Sequence, residues 1–130
     1  NNKRELIYHT NVMMCLGTAF AVVGLANIVY KKERKNLLKH LHEDGKKVIE
    51  ISEDQVNNFA GNMLQLKVTN DQSYLVMSQS ALESLRPAQV QLLEAHATII
   101  SSKLDTIEAC GGGSARCMMA EVFLPKTASN

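Results

Sequence analysis

The residues best equipped for chemistry lie together near the end of the chain, in the run Gly111-Gly112-Gly113-Ser114-Ala115-Arg116-Cys117. Three successive glycines have no Cβ, so their N–H groups are open to close approach and their backbone reaches φ values that other residues avoid. Gly112 and Gly113 are therefore candidates to line a substrate. The thiolate is the nucleophilic form of cysteine, and an adjacent cation such as Arg116 favours it. Arg116, a further candidate for substrate binding, either pairs with a carboxylate or structures the loop. The run becomes a catalytic unit only with a base for the Cys117 thiol.

Four histidines are candidates for that base. His40 and His42 sit among charges and belong to a solvated helix face. His96 falls near a helix C-terminus, where a partly charged imidazole is favoured anyway. His9 differs, because it heads Tyr8-His9-Thr10-Asn11-Val12-Met13-Met14, the entrance to an apolar stretch. Read as a strand, the segment places His9, Asn11 and Met13 on one face. A polar pair at the head of a buried strand needs partners. It is either a strand end with satisfied side chains or a functional pair, and the residues alone leave both open.

Other chemistries find little support. The Cys110 to Cys117 spacing is not the close C-x₂-C pair of a zinc site, and no metal or organic cofactor is called for. The glycine run lacks the G-K-[ST] ending of a phosphate loop. Met13, Met14, Met118 and Met119 read as core packing, and Glu121, placed on a strand after Cys117, as structural.

The elements that must position these residues follow from composition and periodicity. A chain of 130 residues with 45% hydrophobic content makes one domain with a respectable core. A net charge of +1 gives no electrostatic argument for nucleic acid, and 5% aromatics without tryptophan supply no stacking platform. An odd count of 3 cysteines argues for free thiols in a reducing, cytoplasmic setting.

Val12 to Tyr30 is nearly uncharged and is followed by Lys31, Lys32, Arg34 and Lys35. On pattern it is either a membrane helix with basic flanking residues or two buried strands joined at Gly17-Thr18. Leu37, Leu38 and Leu41 predict a helix over Lys31 to Asp44, stopped by Gly45. Lys46 to Ile51 reads as a strand, and Ser52 to Gln55 has the residue types of a capping box opening a short helix to Phe59. Met63 to Val68 and Tyr74 to Met77 are strands around a turn at Asn70-Asp71-Gln72. Pro87 opens a helix to about His96, followed by a strand over Thr98 to Ser102. The order strand, strand, helix, strand thus occurs twice, about 50 residues apart, as in a propeller or array.

His9-Thr10-Asn11 together with Gly-Gly-Gly-Ser-Ala-Arg-Cys-Met-Met resembles the guanidine-modifying superfamily of arginine deiminases, dimethylarginine hydrolases and glycine amidinotransferases. Asn58 to Leu64 is similar to the segment between those motifs, and the wording is nearest to the citrulline-utilisation hydrolase branch. The resemblance spans most of Ile7 to Pro125. It implies an α/β fold in which the chain forms the C-terminal part, about two ββαβ units, of a single five-bladed α/β propeller (pentein) domain. Val12 to Tyr30 would then be paired core strands rather than a membrane span.

The implied chemistry is C–N cleavage on a small guanidino or ureido substrate, by a hydrolase or a transferase. Cys117 would be the nucleophile and His9 the acid and base. Asn11 stands where many relatives carry an aspartate, and a neutral amide suits a ureido group such as citrulline's. The clamping carboxylates would come from earlier blades, so the N-terminal portion of the same protein is the expected partner and this piece alone is expected to be inactive. Oligomeric state, a homo-oligomer included, stays open. The competing class is non-catalytic, a propeller fragment serving as a binding or assembly module.

Overall fold

The computed structural model describes residues 6–68 and 72–124. Its strands fall into two three-stranded sheets with the same connectivity. In the first, β1 (Met14–Leu16) runs antiparallel to β2 (Phe20–Val23), which pairs in parallel with β3 (Lys47–Glu50) after the crossover helix α1 (Lys31–Glu43). In the second, β4 (Leu64–Lys67) is antiparallel to β5 (Ser73–Ser78), and β5 is parallel to β6 (Thr98–Ser102). Each sheet therefore has the order strand, strand, helix, strand that the repeat predicts, and pairing places its second strand in the middle.

The short α2 (Glu53–Asn57) links the units. Its start is the expected capping box: Gln55 N–H donates to Ser52 Oγ at 3.2 Å, and Ser52 N–H to Gln55 Oε1 at 3.0 Å. The crossover in the second unit holds two helices, α3 (Gln79–Ser84) and α4 (Pro87–Glu94), and a further helix, α5 (Asp105–Gly111), follows β6. Neither α3 nor α5 was expected. Each is under two turns long, too short for an apolar stripe to show as periodicity. The turn expected at Asn70 and Asp71 lies outside the described residues, whereas Gln72 accepts from Val68 N–H at 2.9 Å beside the β4–β5 pair.

The apolar run that resembled a membrane span is explained by β2. All four of its residues are buried. Phe20 and Val22 face a core shared with Met63, Leu75, Met77 and Leu93 of the second unit. Ala21 and Val23 face the other way, against Leu41 and Leu37 of α1. A strand covered on both sides loses the alternation of polar residues and reads as continuous hydrophobicity. No helix among the described residues is long and apolar enough to cross a membrane.

Polar groups also join the units. Gln55 Nε2 donates to Gln89 Oε1 at 2.7 Å and to the Ser84 carbonyl at 2.8 Å, while Gln89 Nε2 donates to the Glu50 carbonyl at 2.7 Å. Both side chains are buried. Their amides bridge β3 and α2 to α3 and α4, fixing the angle at which the second unit meets the first.

Candidate active site

The His9 segment is not a strand. Thr10–Val12 form one 3₁₀ turn, and His9 caps it by accepting the Asn11 N–H on Nδ1 at 3.0 Å. β1 begins only at Met14, so the expected alternation of His9, Asn11 and Met13 on one strand face is overturned. The cause is local: a side chain two residues before an unpaired N–H offers the backbone an alternative to the sheet ladder. Because that N–H can only donate, Nδ1 is the acceptor and the neutral ring carries its hydrogen on Nε2. His9 itself is exposed.

Cys117 lies in a second 3₁₀ turn, Ala115–Met118, entered through the glycine run. Gly112 ends α5 with φ 64, and Gly113 is buried against the cysteine. A Cβ on Gly113 would sit 2.8 Å from Cys117 Sγ, so a glycine is needed there for the sulfur to keep its place. Cys117 N–H donates to the Ser114 carbonyl at 3.0 Å, and the cysteine is exposed. Among the described residues no regular element follows: residues 119–124 are irregular, so Glu121 is not on a strand as expected.

Two long-range contacts bring the His9 segment to the cysteine loop. Tyr8 Oη donates to the Gly112 carbonyl at 2.8 Å. The second is made by Asn62, a residue absent from the sequence-based candidates. Its Nδ2 donates to the Asn11 carbonyl at 3.0 Å and to Cys117 Sγ at 3.2 Å, and its Oδ1 accepts the Arg116 N–H at 3.1 Å. The backbone partners dictate the amide's orientation, since Arg116 N–H only donates and the Asn11 carbonyl only accepts. Nδ2 therefore faces the sulfur, and an N–H donor of this kind binds an anion more strongly than a neutral acceptor.

Asn62 is 1% exposed and sits where chains 12–13 and 61 cross in near contact. A Cβ on Gly61 would lie 2.6 Å from the Val12 carbonyl oxygen. The signal for Asn62 was present in the sequence, as an amide at the mouth of an apolar strand, inside the Asn58 to Leu64 segment. A buried polar residue there demands partners, although nothing local says which.

The other thiols differ from Cys117. Cys15 is 1% exposed on β1, and burial pushes its thiol up to about 12, with the nearby Arg116 charge drawing it partly back. It is therefore held as an unreactive neutral thiol. Cys110 is exposed on the last turn of α5. His96 lies just past the end of α4, as expected, and its ring stacks on Phe20 with centroids 5.4 Å apart.

No curated protein matches the chain significantly. Among solved structures, the apo crystal structure of ArgZ, an arginine dihydrolase from the ornithine–ammonia cycle in cyanobacteria, superposes with a TM-score of 0.66 at 18% identity. That match covers 91% of this chain but only 17% of the cyanobacterial one, so the chain spans about a sixth of that relative. The family described as N,N dimethylarginine dimethylhydrolase, eukaryotic, matches residues 1–124. Matched over nearly its whole length, and carrying two ββαβ units of the matching fold, the chain belongs to the dimethylarginine dimethylhydrolase family of the guanidine-modifying superfamily.

Proposed function

We propose that this chain supplies the nucleophile and the acid–base group for C–N cleavage on a small guanidino or ureido substrate. The remaining blades of a five-bladed propeller, with the carboxylates that clamp the substrate, come from the rest of the same protein. The fraction of the arginine dihydrolase that the chain spans supports that division, as does the repetition of the ββαβ unit.

Cys117 Sγ attacks the central carbon of the substrate, and the electron pair of one C=N (or C=O) bond moves onto the heteroatom. The tetrahedral adduct collapses with loss of an amine, which takes its proton from His9, leaving a carbon–sulfur bond. Water then loses a proton to His9, attacks the same carbon and expels the Cys117 thiolate. Water rather than an acceptor amine is the second nucleophile, in keeping with the hydrolase activity for which the family is named.

His9 has one step to make first. An imidazolium carries hydrogens on both nitrogens, so charging His9 breaks the bond from Asn11 N–H to Nδ1. The ring leaves its cap when it takes the proton of the Cys117 thiol, which leaves the attacking thiolate and the imidazolium that later protonates the amine. Asn11 spends its N–H on His9 and its carbonyl on Asn62, which leaves its side-chain amide for the substrate. Gly112, Gly113 and Arg116 bound the same space from the cysteine side.

The observation that carries this reading is the Asn62 side chain, which fastens the sulfur of Cys117 to the segment that bears His9. The test uses the intact protein and 2-chloroacetamidine, a guanidine-shaped alkylating agent. Cys117 should be modified faster than Cys110 or Cys15, and Cys117→Ser and His9→Ala should each abolish turnover. Equal modification of all three thiols would sink the proposal. Turnover of citrulline against arginine and dimethylarginine then selects the substrate, and a strong arginine preference would reject the ureido assignment of Asn11.

A further inference from the structure

We propose that Glu108 is a positioning residue for Cys117, acting through Ser114; this rests on the reading of Cys117 as the nucleophile. Glu108 lies on α5, and its carboxylate accepts from two hydroxyls on different elements. Ser114 Oγ donates to Oε1 at 2.6 Å, and Ser80 Oγ of α3 donates to Oε2 at 2.9 Å. The shorter bond has the length of a charge-assisted O–H···O⁻ contact. Ser114 is fully buried, so without Glu108 its hydroxyl has lost its partner.

Ser114 is also the residue from which the cysteine turn is hung, because its carbonyl takes the Cys117 N–H at 3.0 Å. Two residues separate Ser114 from Cys117, and the far side of the turn is held at the Arg116 N–H by Asn62. The turn is thus pinned at two points: Asn62 ties it to the His9 segment, and Glu108 ties it to the helices of the second unit. One pin alone leaves the turn free to rotate about it. A nucleophile that must meet a carbon within a few tenths of an ångström is sensitive to such freedom.

The role asked of Glu108 is geometric, which makes the conservative variant informative. In Glu108→Gln the amide oxygen accepts from one serine hydroxyl and the amide nitrogen donates to the other, since a hydroxyl serves in either sense. The charge is lost and the arrangement kept. In Glu108→Ala both contacts go.

The experiment measures the rate at which 2-chloroacetamidine modifies Cys117 in the intact protein, with the exposed Cys110 as an internal standard and urea unfolding as a check on the fold. Glu108→Ala and Ser114→Ala should each slow Cys117 by about tenfold, and the double variant should be no slower than the worse single one, as for residues acting as one unit. Glu108→Gln should stay within about threefold of wild type. Wild-type rates in the alanine variants, or a glutamine variant as slow as the alanine one, would overturn the proposal while leaving the nucleophile intact. Failure of wild-type Cys117 to outpace Cys110 overturns the nucleophile reading and this one with it. Should Glu108→Ala not fold, Ser114→Ala decides the matter, because it removes the bond to the turn and leaves Ser80 in place.

Discussion

Asn62 Nδ2 lies 3.2 Å from Cys117 Sγ, across 55 residues of sequence. The same side chain serves two main-chain groups, one on each segment of the site, so a single buried amide carries the geometry of the cysteine turn. Asn62→Ala should cost about 2–3 kcal/mol, since it leaves an N–H and a carbonyl unpaired in a mostly buried setting. It should also slow alkylation of Cys117, by about tenfold at full folding, through loss of the donor to sulfur. Asn62→Asp keeps an acceptor for Arg116 but sets a carboxylate against the sulfur, and should slow labelling at least as much. Urea melts and iodoacetamide kinetics measure the two effects separately.

Two glycines should respond differently to the same added methyl group. In Gly61→Ala the new Cβ meets backbone, 2.6 Å from the Val12 oxygen and 2.7 Å from the Met13 carbonyl carbon. Backbone crossing at that point has nowhere to go, and a loss of about 2–3 kcal/mol is expected. In Gly113→Ala the nearest atom is the Cys117 sulfur itself. A rotating side chain relieves most of that clash, so stability should fall by less than about 1.5 kcal/mol while Cys117 reactivity changes sharply. Equal stability losses in both variants would contradict this account.

Cys15 gives a pH signature. Its thiol is raised by burial from an ordinary value of 9.0 to about 12, with Arg116 opposing. Above pH 9 the unfolded chain releases this proton while the folded chain keeps it, so the folded state binds more protons and stability falls as pH rises through that window. Below pH 9 the contribution is fully present. Cys15→Ala should remove the slope, up to about 1.4 kcal/mol per pH unit, from the difference between the two unfolding curves. In the folded protein at pH 8, Cys15 should resist iodoacetamide until urea exposes it.

The buried Gln55–Gln89 contact should behave as a hinge pin between the units. Gln89→Ala leaves unpaired one of the two Gln55 Nε2 hydrogens, the Glu50 carbonyl's side-chain donor site and the Arg86 N–H, which donates to Gln89 Oε1 at 2.8 Å. A loss of about 2–4 kcal/mol in urea unfolding is expected, with strong non-additivity against Gln55→Ala. Independent, additive losses would show that the two amides do not act together.

Much of the architecture was legible locally. The capping box at Ser52, Pro87 at a helix start and the stop at Gly45 were each marked within a few residues, and the doubled order of strands and helices followed from them. The strand assigned to His9 failed because its alternation continued that of β1 one turn too far. A histidine capping a 3₁₀ turn and a histidine on a strand have the same neighbours in sequence, and only the hydrogen bond to Asn11 N–H distinguishes them.

By itself the sequence determined the strands from β2 on, the helices α1, α2 and α4 and their order, and it put a thiol and an imidazole in the chain, because those are written in residue types and short spacings. Only the tertiary structure decided what joins them. The Tyr8 bond to Gly112 spans 104 residues and the Asn62 bond to Cys117 spans 55. Such contacts leave no period in the chain; they exist because β1 and β4 come together and bring a buried amide to groups it must satisfy. The same holds for β2, whose two apolar faces look alike in sequence and part company only when one meets α1 and the other meets the second unit.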